Sequence, residues 1–333
     1  MEYHFYLRRD GVTRRDMELL PLDKATLRMD STAAVQTRLS AVFAAVEGAD
    51  LLHDRILLEL DGSPAGEFLP TSCQSRYDGD CLLWQLEAKD AAWLLQRSRL
   101  EQRLCLPAGA SYMEEVQKLL RQAGIQRIRA DRCSETLSTP RQWELGESRL
   151  SIVGQLLEEM GFAPLSFDGE GWALLRQYVS PQKQAVSHIF GSEVQPVERD
   201  CVSSLDLLQA ANVFVVVADS PRRSDSLRAT ASNDDPNSPI STVHLGRIMA
   251  EVTVLEDAPS QEALQRCADR LRDESLLSAQ TVEFYTKPCL CPAGSLVALE
   301  HPQLSGLYRE QGWLMELGQE SRMKHEGRSV MLL

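Results

Sequence analysis

The sequence predicts an α+β protein: two related antiparallel β modules, each a small sheet or barrel with one packed helix, and a small α/β region inserted between them. Three observations carry that prediction. Strand-length apolar runs bounded by Gly, Pro and Asp turns crowd both ends of the chain; capped amphipathic helices occupy the middle; and the last third repeats the plan of the first hundred residues. The expected boundaries are residues 1–103, 104–180 for the insertion, and 181–333, with strand exchange between the two modules possible.

In the first module Tyr3, Phe5 and Leu7 share one face of a leading strand, and Gly11 marks the turn after it. From Ser31 to Glu47, residues Ala34, Val35, Leu39, Val42, Phe43 and Val46 recur at helical spacing. Asp30 or Ser31 is available as cap and Gly48 as stop, so a helix is predicted there. Arg55–Leu60, the turn Asp61-Gly62-Ser63-Pro64, and the pieces flanking Asp78-Gly79-Asp80 read as antiparallel hairpins.

The insertion begins after Pro107. Ser111 with Glu114 forms a capping box, Val116, Leu119 and Leu120 make an apolar stripe, and Gly124 ends the helix; Ile125–Arg129 continues as a strand. A second helix spans Leu150–Met160 with Gly161 at its end. Phe162–Phe167, the turn from Asp168 to Gly171, and Trp172–Leu175 form a hairpin whose core Trp143 and Trp172 would bracket.

In the second module Asn212–Val217 reads as a buried strand, and Pro221–Ser241 as a long loop containing a possible strand at Leu227–Ala231. A loop of that length is expected to be functional or to become ordered only against a neighbour. β-structure resumes at His244–Leu255, and Ser260 caps a helix carrying Ala263, Leu264, Cys267, Leu271 and Leu276. Thr281–Thr286, Gly294–Leu299, Gly312–Leu317 and Ser329–Leu333 supply further strands.

With 333 residues, the chain exceeds what one hydrophobic core usually fills. Its net charge of −13 argues against a surface built to track a phosphate backbone, and the arginines Arg8, Arg9, Arg14 and Arg15 are the nearest thing to a basic patch. Eight cysteines lack framework spacing and read as reduced, buried small hydrophobes. Cys289-Leu-Cys291 has no second pair or paired histidines nearby, so zinc is not expected. No apolar run is long enough to cross a bilayer, so membrane insertion is not expected.

Nor does any motif announce catalysis. The six histidines show no HExxH spacing, and the neighbours His53-Asp54 and Ser187-His188 point their side chains apart. Asp168, Glu170, Asp234 and Asp235 could pair or hold a hard cation, but turns rich in Asp and Gly form without one. No catalytic, cofactor-binding or metal-ligating residue is therefore assigned.

Trp143-Glu-Leu-Gly146 with Ser148 before a helix, Gly161-Phe162 and Asp168-Gly169 after it, Asn212-Val213, the run Asn233 to Pro239, Gly246-Arg247 and a helix opening Ser260-Gln261 follow one another in an unusual order. In that order, from about Leu100 onward, the chain resembles the baseplate hub, or late-control, family of phage tails and contractile injection particles. The resemblance implies two tail-tube-like barrels per subunit and a homotrimer that presents a pseudo-sixfold ring, joins the hexameric tail tube to a trimeric spike and lines the central channel. Implied partners are the chain itself, tail tube protein, spike protein and other baseplate or tape-measure proteins, with DNA only as passing cargo. The implied location is a virion tail or phage-like particle assembled in the bacterial cytoplasm. A non-enzymatic structural role without cofactor is expected, since no peptidase or lysozyme-like extension follows Leu333. The rival readings are a cell-wall-binding or peptidoglycan-degrading tail protein, and a binding module with an aromatic pocket near Trp143 and Trp172.

Overall fold

A computed structural model describes residues 2–205, 211–219, 227–236, 238–278 and 280–330. The first part is built of β1 (Tyr3–Arg9), β2 (Val12–Leu19), β3 (Ala25–Asp30), β4 (Thr37–Ala44), β5 (Arg55–Leu60), β6 (Ser63–Asp78) and β7 (Cys81–Lys89), all paired antiparallel. The helix predicted at Ser31–Glu47 is not there: its centre is β4. Leu39, Ala41 and Phe43 alternate inward with period two, and partners on both sides, β3 and β7, satisfy the backbone. Apolar residues at 39, 42, 43 and 46 fit the helical period, whereas the inward set 39, 41 and 43 fits a period of two, so tertiary pairing overrode the local pattern. No helix lies between Tyr3 and Lys89 among the described residues.

β6 turns the corner of this sheet. Ser63–Phe68 pairs with β5 and Leu69–Asp78 with β7, and the register shifts between Pro70 and Ser72, where proline offers no donor. The sheet then returns on itself. Leu22 N donates to Val42 O at 2.9 Å and Ala44 N to Leu20 O at 3.2 Å, so the continuation of β2 lies along β4. Phe5 from β1 meets Phe43 from β4 edge to face across the interior, ring centres 5.2 Å apart.

Next come α1 (Ala92–Arg97), β8 (Leu104–Leu106), α2 (Tyr112–Gln122), β9 (Ile128–Ala130), β10 (Arg141–Trp143), α3 (Arg149–Glu159), β11 (Ser166–Phe167) and β12 (Ala173–Leu175). The predicted caps are in place, with Ser111 Oγ accepting from Glu114 N and Ser148 Oγ from Ser151 N. Tyr112, Val116, Leu120, Ile152, Leu156 and Phe162 belong to a core of their own.

The last part comprises β13 (Val186–Phe190), β14 (Val202–Leu205), β15 (Val213–Ala218), β16 (Leu227–Ser232), α4 (Thr242–Leu245), β17 (Ala250–Leu255), α5 (Gln261–Ser278), β18 (Gln280–Thr286), β19 (Leu296–Leu299), β20 (Gly306–Leu317) and β21 (Arg322–Val330). β15 runs between antiparallel β16 and parallel β17 as a separate three-stranded sheet, against which α5 buries Leu264, Cys267 and Ala268. Ser260 caps α5 as expected. The side chain of Leu276, the loop residues 220–226 and Asn237, and the end of the expected last strand at 331–333 lie outside the described residues. That strand starts earlier than predicted, at Arg322, and His244, expected in a strand, sits in α4.

β20 joins the two ends of the chain. Its Gly306–Arg309 half pairs with β19 and its Gly312–Leu317 half with β3, making one sheet in the order β14-β18-β21-β20-β3-β4-β7-β6-β5-β1-β2. A bulge between Glu310 and Gly312 changes which residues face inward, from Tyr308 and Glu310 before it to Trp313, Met315 and Leu317 after it. One buried cluster runs through both parts, from Phe5, Phe43 and Leu58 to Phe190, Phe284 and Met323. This sheet also turns back: the segment after β13 reaches β18, with Val197 opposite Thr286 and Glu198 N donating to Tyr285 O at 3.0 Å. Gly191 (φ 98°) makes that turn, and a Cβ there would sit 1.9 Å from Glu300 O.

Candidate functional site

Three features stand out: the joints that hold the helical regions on the sheet, an uncovered valine face, and a polar centre inside the second sheet region. The first joint is Glu67 on β6. Its carboxylate is buried and accepts from Arg8 at 2.9 Å, Arg55 at 2.7 Å and Arg127 at 2.5 Å, the last reaching across from the insertion. Gly169 approaches Pro64 so closely that a Cβ would lie 2.0 Å from the Pro64 carbonyl oxygen. Arg8, Arg9 and Arg15 pair with Glu67, Asp54 and Glu59, so they form carboxylate contacts rather than a basic patch.

The second joint ties the insertion to the α5 region. Asp257 accepts from Ser138 N at 3.0 Å and from the Tyr112 hydroxyl at 3.3 Å, while Tyr112 also donates to Glu159, itself bonded to Arg141. Burial pushes the Glu159 carboxyl up to about 7, and burial together with Glu159 and Asp257 pushes the Tyr112 phenol upward.

Several sequence candidates have structural partners. Asp168 accepts from Trp172 N and pairs with Arg129, as does Glu170; Asp234 accepts from Ser232 and Thr242. His53 bonds Asp50 while Asp54 bonds Arg9, and Ser187 donates to Leu296 O. Trp143 is buried with its Nε1 on Gln155, whereas Trp172 lies under Arg129 at 4.5 Å. A cavity of about 680 Å³ opens between α3 and β20 and is lined by Gly154, Phe162, Arg270, Glu310 and Arg328.

The long loop is a correction. Asn212 donates to Arg247 O and accepts from Met249 N, and Asn233 donates to Ser238 Oγ, with Asn233 and Ser238 buried. Its described residues 232–236 and 238–241 are thus held by the chain itself rather than waiting for a neighbour. Nor is β15 buried on both sides. Phe214, Val216 and Ala218 face inward, but Val215 and Val217 lie beside Val252 and Val254 on the opposite face, where Val252 is 62% and Val254 65% exposed.

The polar centre went unread in the sequence. Glu310, His325 and Cys291 are all buried, with His325 Nδ1 2.8 Å from Glu310 Oε2 and Cys291 Sγ 3.5 Å from the same oxygen. Thr286 Oγ donates to Lys287 O at 2.8 Å, so it accepts from His325 Nε2 at 2.9 Å. His325 stacks on Phe284 with ring centres 4.7 Å apart. Burial and the Glu310 carboxylate push the Cys291 thiol upward and the Cys289 thiol up to about 12. Cys73, Cys81 and Cys105 are exposed, contrary to the expectation of buried thiols. The sequence signal for the centre was the pair Cys289-Leu-Cys291; Glu310 and His325 lie outside the predicted strands Gly312–Leu317 and Ser329–Leu333.

No family model matches the chain, and no curated protein matches it by sequence. Its fold is that of phage tail proteins. It is similar to a tail protein from Neisseria meningitidis MC58, at 14% identity over 99% of this chain and 97% of that one, with a TM-score of 0.70. The 43 kDa tail protein of prophage MuSo2 from Shewanella oneidensis is similar at 12% identity, 99% and 98% coverage and a TM-score of 0.68. A third is the E. coli c3393 protein, described as a type VI secretion component structurally similar to the T4 tail proteins gp27 and gp5, at 13% identity, 98% and 77% coverage and a TM-score of 0.60.

Proposed function

We propose that the chain is a structural tail hub. Three copies form a ring, each contributing two tube-like barrels, so that six similar units meet the tail tube and three subunits seat a spike. The observation that carries this reading is the pair of sheet regions that each turn back on themselves, one through Leu20–Leu22 on β4 and one through Val197–Glu198 on β18, joined edge to edge by β3 and β20. The uncovered valines on β15 and β17 supply apolar area of the kind protein interfaces bury. The division into residues 1–103, 104–180 and 181–333 belongs to this reading, as does a location in a phage tail or related particle. A net negative wall would let DNA pass without sticking.

Native mass spectrometry of the chain mixed with the spike and tube proteins of its particle tests the reading. Three chains per spike trimer are expected. Only single chains, with both partners present, would overturn it.

A further inference from the structure

The polar centre has the composition, spacing and support of a metal site. We propose that Cys291, Glu310 and His325 bind a zinc ion that cross-links β20, β21 and the Cys289–Cys291 segment inside the second sheet region. Among the described residues, these three offer one donor atom each within 4.8 Å of one another. Zinc bonds of about 2.0 Å to oxygen and nitrogen and about 2.3 Å to sulfur place tetrahedral ligands about 3.3–3.6 Å apart. The observed Sγ to Oε2 separation is 3.5 Å and that of Nδ1 to Oε2 is 2.8 Å, so a small outward shift of the imidazole seats the ion.

Two further observations point to a cation. Glu310 Oε1 is fully buried and has no hydrogen-bond partner, although Oε2 of the same carboxylate has two. Such an orphan oxygen costs desolvation energy that a bound cation would offset. The supporting shell also has the form that metal sites use: His325 presents Nδ1 to the centre while its other nitrogen donates to Thr286, and Trp313 Nε1 fixes the Cys291 carbonyl at 2.8 Å. The bulge after Glu310 aims that carboxylate inward, and Gly294 N and Ser295 O clamp its backbone. One cavity is lined by Glu310 and another by Thr286 and Cys289.

The test uses the full chain. Purified from zinc-supplemented cells, it is expected to carry about one zinc per chain by elemental analysis, and stripping with chelator should lower Tm by about 5 °C. Cobalt put in its place should show thiolate-to-cobalt charge-transfer absorption. Cys291→Ser and His325→Gln should lose the metal while Cys73→Ser keeps it. Less than about a tenth of a zinc per chain, cobalt without the thiolate band, or folded Cys291→Ser protein with full zinc content would each overturn the proposal. If both variants fail to fold, zinc content and cobalt spectrum of the unaltered chain decide alone.

Discussion

The two sheet regions share one apolar cluster but differ in the polar groups they bury. Around β1 and β4 the centre is apolar, with Phe5, Phe43, Leu58 and Leu86 in contact, and the buried carboxylates Asp54, Glu59 and Glu67 sit where arginines reach them. Around β18 and β21 a carboxylate lies in the middle, met by a histidine and a thiol. The difference teaches that a sheet that turns back on itself needs inward alternation and not a uniformly apolar filling. It also locates where each region is vulnerable: packing volume in the first, charge satisfaction in the second.

The largest effect is expected in the second region. His325→Ala removes both the ring stacked on Phe284 and the partner of Glu310, and in chelator-treated protein it should lower unfolding free energy by about 5 kcal/mol in a urea titration. Replacing Glu310 and His325 together by Leu should restore most of that loss, because no unpaired charge remains. A double variant no more stable than the single would show that shape and not charge governs this interior. In the first region Phe43→Ala should cost about 4 kcal/mol through the cavity it leaves, with no dependence on chelator.

Asp90 sharpens the contrast by pH. It links β4 to α1, accepting from Thr37 N at 2.6 Å and Ala92 N at 2.9 Å, yet burial raises its carboxyl to about 6. The folded state therefore holds the proton more tightly than the unfolded chain. The stability this contributes is fully present below about pH 4 and is lost as pH rises through about 6, by on the order of 2–3 kcal/mol. Asp90→Asn should flatten that slope in melts taken from pH 4 to 7. The smallest effect is expected from Glu67→Gln, about 2 kcal/mol, because its arginines stay partly solvated. Hydrogen exchange should place that loss in β6 and the insertion and leave β18 to β21 protected; uniform loss would mean that the two regions unfold as one.

Much of the helical part was legible. Ser111, Ser148 and Ser260 cap their helices as expected, and Gly161 sits just past α3 in the left-handed region. Asp78-Gly79-Asp80 turns β6 into β7. The segment from Ser31 to Glu47 was misread because its larger apolar residues recur at helical spacing, while the strand partners that decide its conformation lie outside it, in β3 and β7. The candidate site was not assembled from the sequence: Cys291 was noticed only beside Cys289, and Cys291, Glu310 and His325 fit no spacing motif, since three separate segments bring them together.

By itself, then, the amino-acid order determined the elements whose hydrogen bonds close within a few residues, namely caps, hairpin turns and the helices of the insertion and α5. Tertiary structure decided which strands share a sheet, that Ala25–Asp30 pairs with Gly312–Leu317, and which side chains meet in the middle. The physical reason is range: a cap finds its donor one turn away, whereas an extended backbone and a buried carboxylate need partners that only the folded chain supplies.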